Sequence, residues 1–192
     1  MRIGSGKFRG RTLLSPPRPA ETRPITGRVK KSLMDSLDAW WPDATVLDLY
    51  CGTGTLGLEA LSRGAAHCWF ADRDREVIAR LRRNINALDA DEVCTVWTGD
   101  VTVRLPSWLT DVPGEIDVAF VDPPYAHARK WQWDDVTRSL LAPLSERLAD
   151  DGLTILRVPT SVDVPEPLGT LTVRRQRDYG DMRVVILGCS ET

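Results

Sequence analysis

The chain has 192 residues, is 42% hydrophobic and 27% charged, and carries a net charge of −2. That is the profile of one globular domain with a real core, and no apolar run nears the ~20 residues of a membrane helix. Met1–Lys7 lacks the apolar stretch of a signal peptide, so a cytoplasmic protein with no membrane partner is expected. Cys51, Cys68, Cys94 and Cys189 form no C-x-x-C pair, and His67 and His127 are the only histidines. Free thiols and no metal site are therefore expected.

In chain order, residues 1–14 mix basic, glycine and apolar positions and predict a short β-hairpin. The first 31 residues carry +8 and the remainder −10. A basic end on an acidic body points to a docked polyanion, nucleic acid above all, with Arg2, Lys7, Arg9 and Arg11 as its contacts. Ser15 to Pro24 is proline-rich and reads as an extended loop. Thr26 is placed as an N-cap, and Val29, Leu33, Leu37 and Trp40 recur at helical spacing over about 27–40, ahead of Pro42. Arg28 and Lys31 fall off that stripe and face outward. Strands and helices then alternate: strands over 45–50, 68–71, 93–97, 116–121 and 153–158, with helices over 55–63, about 76–88, 101–109 and, marked by Val136, Leu140, Leu141, Leu144 and Leu148, about 136–148. Two more strands, 170–174 and 183–187, flank Tyr179-Gly180-Asp181 and close an antiparallel hairpin. The pattern predicts an α/β, Rossmann-like fold. Its seven-stranded sheet is mostly parallel with a C-terminal antiparallel hairpin, and residues 1–24 form an extension to a domain over 25–192.

Gly52-Thr53-Gly54-Thr55-Leu56-Gly57 follows the first strand and opens a helix. Gly52 and Gly54 allow a sharp turn and a close ligand approach, and the helix offers its positive end. The motif alone also suits a dehydrogenase. Asp72, twenty residues after Gly52 at the next strand end, can accept from both ribose hydroxyls. Asp48, inside the strand before the glycines, suits the ammonium of a methionine moiety, directly or through water. Asp100, after the third strand, suits an adenine amine, and Val101 packs on the ring. Together with Cys51 and Arg73 these residues point to S-adenosylmethionine rather than a dinucleotide.

Asp122-Pro123-Pro124-Tyr125 ends the fourth strand. Proline removes two donors, so the carbonyls and the Asp122 carboxylate are expected as acceptors with no local amide to satisfy them. Two such acceptors grip a planar exocyclic amine and stabilise the charge that grows on its nitrogen. Asp122 can also take the released proton and borders the cofactor site. Tyr125 supplies a stacking face. His127 follows the turn and can line the site; His67 opens a strand and reads as structural.

The Asp-Pro-Pro-Tyr tetrapeptide resembles the signature of methyltransferases acting on exocyclic amines of nucleobases. Gly6-Lys7-Phe8-Arg9-Gly10-Arg11, Arg23 to Val29, Leu47 to Gly54 and Leu56 to Ala60 extend the likeness. They make the whole chain similar to the bacterial family that methylates a guanine N2 of 16S ribosomal RNA. That family usually has a small or polar residue at Ile25, an acidic one at Gly27, and Phe-Ala at Tyr50-Cys51. The resemblance implies S-adenosylmethionine as cofactor and guanine 966 of 16S rRNA as target. It implies the small subunit or its assembly intermediate as partner, a monomeric enzyme, and Arg23, Thr26 and Arg28 near the active-site mouth. Adenine N6 of DNA, another RNA base, and a non-catalytic RNA-binding assembly factor are the competing readings.

Overall fold

A computed structural model describes residues 1–16 and 25–190. Seven strands form one sheet in the order β3-β2-β1-β4-β5-β7-β6, with β1 Thr45–Leu49, β2 His67–Asp72, β3 Cys94–Thr98, β4 Ile116–Val121, β5 Leu148–Pro159, β6 Leu171–Tyr179 and β7 Met182–Cys189. The first five are parallel; β7 runs antiparallel to both β5 and β6. The helices are α1 Gly27–Asp35, α2 Thr55–Arg63, α3 Arg75–Ala87, α4 Val101–Trp108, α5 Tyr125–Ala128, α6 Trp133–Val136 and α7 Ala142–Ser145. Among the described residues no helix is long and apolar enough to cross a membrane.

The central strands are buried on both sides, which explains their continuous apolar runs. Val46, Phe70, Val118 and Phe120 pack on one face with Leu33, Met34 and Trp41 and with Leu58 and Leu81 from α2 and α3. Leu47, Leu49, Ala119 and Val121 pack on the other with Leu105, Leu140, Leu141 and Leu144.

The N-terminal segment turns back on itself through a single antiparallel bridge, Arg2 to Thr12, rather than two strands. The amides of Gly4 and Ser5 are taken by the Glu59 carboxylate of α2 at 2.9 to 3.1 Å, so they are unavailable to a ladder. The turn instead sits at the C-terminal end of α2, where the Lys7 amide donates to the Ser62 carbonyl at 2.7 Å. Lys30 is buried at 2% exposure, and its ammonium meets Glu59 Oε2 at 2.6 Å and the Arg2 carbonyl at 2.8 Å.

Three expectations are corrected. The helix placed over about 27–40 ends at Asp35. The Ser36 hydroxyl donates back to the Leu33 carbonyl at 2.7 Å and the Trp41 indole to the Met34 carbonyl at 3.0 Å, satisfying the last turn. Only a 3-10 turn, Asp38–Trp40, follows. Leu148 belongs not to a helix but to β5, opposite Ile116. After Ser145 the chain passes into the sheet: the Arg147 carbonyl accepts from the Ile116 amide at 2.8 Å, and the Arg147 guanidinium donates to the carbonyls of Leu109, Val112 and Gly114 at 2.6 to 2.8 Å. That run is also not uniform: Thr137–Leu141, between α6 and α7, is a π-helical turn.

Replacing Glu59 by Ala strands the Lys30 ammonium and two amides in the interior. Loss of one partner of a buried pair costs roughly 3–5 kcal/mol. Urea unfolding should show a loss of that size, and amide exchange should show Gly4 and Ser5 deprotected. An unchanged midpoint would mean that the segment is held by something else.

Candidate active site

The carboxyl ends of β1, β2, β3 and β4 lie side by side, since Leu49 is in register with Ala71 and Val121, and Ala71 with Trp97. All the predicted chemical residues of the strand ends meet there. The chain leaves β1 through three left-handed positions, Tyr50 (φ 59°), Gly52 (φ 55°) and Gly54 (φ 80°). For tyrosine this conformation costs of order 1–2 kcal/mol, so the turn must be held from outside.

It is held from several directions. The Cys51 amide donates to the Ala71 carbonyl at 3.0 Å, and the Gly52 amide to Asp72 Oδ2 at 3.0 Å. The Gly57 amide donates to Asp48 Oδ2 at 2.9 Å, and Asn84 Nδ2 to the Thr53 carbonyl at 3.0 Å. A Cβ on Gly54 would lie 2.4 Å from Leu81, and one on Gly57 would lie 2.4 Å from Phe70. A Cβ on Gly52 would meet nothing within 4 Å. Two glycines therefore serve packing, and Gly52 faces open space at the strand ends.

The predicted cofactor carboxylates take different positions. Asp48 is 1% exposed and lies beneath the turn. Burial pushes its carboxyl well above the ordinary range, with Asp122 and Asp72 adding to the shift and the Gly57 amide opposing it. Asp72 is half-buried at the end of β2; it accepts from the Gly52 and Asp74 amides, and burial raises its carboxyl too. Asp100 caps α4 through Oδ1, which accepts from the Thr102 amide at 3.0 Å and hydroxyl at 2.7 Å. Its Oδ2 is 4.0 Å from Arg73 Nη1, and Val101 beside it is buried. Cys51 is buried in the turn.

Asp122 follows β4 with its amide donating to the Leu49 carbonyl at 3.2 Å, which ties the tetrapeptide to the glycine turn. Burial raises its carboxyl, and Arg157 opposes the shift. Arg157 of β5 places Nε 2.5 Å from Asp122 Oδ1, Nη1 3.5 Å from Met182 Sδ, and its guanidinium 6.0 Å from the Tyr125 ring. The other carboxylate oxygen has no partner among the described residues. The two prolines do not act alike. The Pro124 carbonyl accepts from the His127 and Ala128 amides at 2.8 and 2.9 Å, because α5 starts there. The expectation that both carbonyls lack local amides is therefore corrected: Pro123 alone keeps a carbonyl without a described donor.

Several site residues escaped the sequence reading. Arg157 stood as a lone charge in the apolar run Thr154 to Pro159, and that itself was a signal, since a charge inside a buried strand requires a partner. Asn84 looked like an ordinary helix residue. Beyond the tetrapeptide, His127 lies edge-on to Tyr50 at 6.0 Å and to Trp131 at 6.2 Å, and Trp131 to Trp133 at 5.6 Å. The Tyr50 hydroxyl and the Trp131 indole are buried without hydrogen-bond partners among the described residues. His67 packs on Trp69 at 4.0 Å, away from the site.

The described residues among the predicted RNA contacts lie on the N-terminal turn and at the start of α1. Lys7 and Arg9 are exposed on the turn at the Ser62 end of α2, opposite the glycine end. Arg2 is exposed, and Arg11 donates to the Ala87 carbonyl at the end of α3. Thr26 caps α1 by accepting from the Val29 amide at 3.4 Å, and Arg28, the second residue of α1, is exposed. Arg23 lies outside the described residues. No group of side chains among the described residues could hold a metal ion.

A family model described as "Conserved hypothetical protein 95" matches residues 1–188. YlbH of Bacillus subtilis, named as a candidate rRNA methyltransferase, is 32% identical over 188 residues, 97% of each chain. Ribosomal RNA small subunit methyltransferase D of Escherichia coli K12 is 38% identical over 125 residues, 65% of this chain and 60% of that relative. Among solved structures, yhhF from Escherichia coli, titled a candidate methyltransferase, superposes with a TM-score of 0.80 at 28% identity. It covers 100% of this chain and 99% of its own.

A pH dependence follows from the buried carboxyls. Raised folded values mean that the native state holds protons the unfolded chain has already released. Their contribution to stability is then complete below about pH 4 and declines as pH rises through the folded values. Asp48 is the most buried of them, so Asp48→Asn should flatten that decline in denaturant titrations from pH 4 to 8. Parallel curves for variant and wild type would show that Asp48 has an ordinary carboxyl.

Proposed function

We propose that this chain, which belongs to the Conserved hypothetical protein 95 family, transfers a methyl group from S-adenosylmethionine to the exocyclic N2 of a guanine in 16S rRNA. The target is guanine 966, as the resemblance read from the sequence implies, on an assembling small subunit; the relatives are named as methyltransferases of rRNA, one of them of the small-subunit rRNA. The observation that carries this reading is the pairing of the Asp-Pro-Pro-Tyr turn with an open glycine turn at adjacent strand ends. Asp122 and Leu49 share a backbone bond there.

The residues fit such a cofactor. The side of Gly52 that a Cβ would fill is open. Asp72 uses two of its acceptor sites on amides and keeps others for ribose hydroxyls. Asp100 keeps Oδ2 for an adenine amine, with Arg73 at its edge and Val101 beneath. Asp48 lies beneath the turn, where a cationic ligand would favour its carboxylate form over the proton that burial makes it hold, and Cys51 lines the turn. S-adenosylmethionine, when bound, supplies the electrophilic methyl group.

The chain's own residues do the rest. A planar amine has two N–H donors. The free Asp122 oxygen and the Pro123 carbonyl accept one each, leaving the nitrogen lone pair directed along the transfer axis. Pro124 starts α5 and thereby fixes Tyr125, whose ring, 5% exposed, backs the turn with Arg129 and Arg157 at 5.9 and 6.0 Å. Arg157 orients Asp122 and resists its protonation, while burial keeps the carboxylate basic enough to take the proton from the methylated amine. The alkylated base needs no covalent help from the protein, so positioning and electrostatics carry the rate.

Two measurements test this reading. Tritiated methyl transfer to small subunits lacking the modification should label 16S rRNA, and Asp122→Asn should lower the rate at least 100-fold. Labelling of naked DNA adenine, or full activity in the variant, would overturn it. Gly52→Ala should weaken cofactor binding by calorimetry and lose only the roughly 1–2 kcal/mol that a left-handed alanine costs, whereas Gly54→Ala, left-handed as well, should lose more through its overlap with Leu81. Equal cofactor affinity in Gly52→Ala would remove the glycine turn from the binding site.

A further inference from the structure

We infer that the shallow groove between α1 and the edge strand β6 is a track for the phosphodiester backbone of the RNA that flanks the methylated base; the inference rests on the function proposed above. The groove is bordered by Ser32 and Ser36 of α1 on one side and by Arg175, Arg177 and Tyr179 of β6 on the other, over a floor that includes Val184 and Ile186 of β7. Arg175 and Arg177 are exposed, and neither makes an ion pair or side-chain hydrogen bond with a described residue. No carboxylate lines the groove. Asp178, next to Arg177 in sequence, points to the opposite face of the strand, where Arg183 binds it at 2.9 and 3.0 Å.

The position of the groove gives it meaning. Met182 of β7 pairs with Pro159 at the end of β5 and with Tyr179 at the end of β6. Its sulfur accepts from Arg157, the residue that holds Asp122. The Tyr179 end therefore opens beside the acceptor site, and Arg177 and Arg175 follow it away along the strand. Residues two apart on one face stand about 6.7 Å apart, a spacing that suits successive phosphates of an extended strand. Guanidiniums and serine hydroxyls are the groups that bind phosphate and ribose without reading sequence. A protein partner would need apolar anchors, but Leu33, Val184 and Ile186 are 4 to 8% exposed and offer little area.

The test uses the full chain carrying Arg175→Gln and Arg177→Gln. Binding of a 16S rRNA fragment containing the target stem-loop is followed by anisotropy between 50 and 200 mM salt. Loss of two phosphate contacts should reduce the slope of log affinity against log salt by about 1.4 to 1.8. The Michaelis constant for RNA should rise, with the turnover number, cofactor affinity and melting temperature unchanged. An unchanged slope with wild-type methylation intact overturns the track alone. Weaker binding only to whole subunits, at an unchanged slope on naked RNA, would indicate a protein contact and also overturns it. Failure of the wild type to methylate RNA removes the proposed function and the track with it.

Discussion

The Glu59 carboxylate joins the parts of this molecule that would otherwise be separate. At 1% exposure it is out of water, and an unpaired charge there would be prohibitively costly. It is not unpaired: the Gly4 and Ser5 amides, the Lys30 ammonium and the Arg63 guanidinium all converge on it. These donors come from the N-terminal turn, from α1 and from α2 itself. Helix α2 begins at the glycine turn, so one helix carries the candidate cofactor site at one end and anchors the N-terminal segment along its length. Asn84 repeats the logic from α3, accepting from the Leu14 amide and donating to the Thr53 carbonyl. The extension and the glycine turn are thereby one mechanical unit, and neither is free to find its position without the other.

The strand ends show a complementary imbalance. Burial raises the carboxyls of Asp48, Asp72 and Asp122; Asp122 and Asp72 add to the shift at Asp48, Asp72 adds to that at Asp122, and Arg157 opposes it at Asp48 and Asp122. Buried like charges are unfavourable in the absence of a ligand. A ligand bringing positive charge to this edge would relieve the crowding, which gives electrostatic selectivity for a sulfonium and an ammonium over an anionic dinucleotide. The strained Tyr50 and the unpartnered hydroxyl at its tip belong to the same picture of a site held at a cost.

Much of this was legible in the sequence because its signals are local. The apolar runs of the central strands, the glycine turn, the helix read over about 76–88 and the closing hairpin each rest on residues within a short window. The pairs that fix the site are long-range and were not legible. Glu59 reads as an exposed acid in a helix until Lys30, Gly4 and Ser5 are brought to it. Arg157 was detectable only as a charge inside an apolar strand. The length of α1 was misread because Trp41, six residues past its end, folds back to satisfy it. Leu148 continued a helical spacing, but the chain had already passed into the sheet at Arg147, whose carbonyl accepts from the Ile116 amide. Tertiary contacts overrode periodicity in both cases.

Charge counting was the least transferable reading, for a physical reason. A segment with +8 suggests one docking patch, but potential depends on where charges end up and what neutralises them. Lys30 is spent on Glu59, Lys31 pairs with Asp35, and Arg11 reaches a helix-end carbonyl. Arg2, Arg9 and Arg28 make no ion pair with a described residue; Arg9 stands with Lys7 at the Ser62 end of α2, and Arg28 is the second residue of α1. Lys30, Lys31 and Arg11 are thus engaged by partners within the molecule, and the potential the segment presents to solvent is weaker than the bare count of +8 implies.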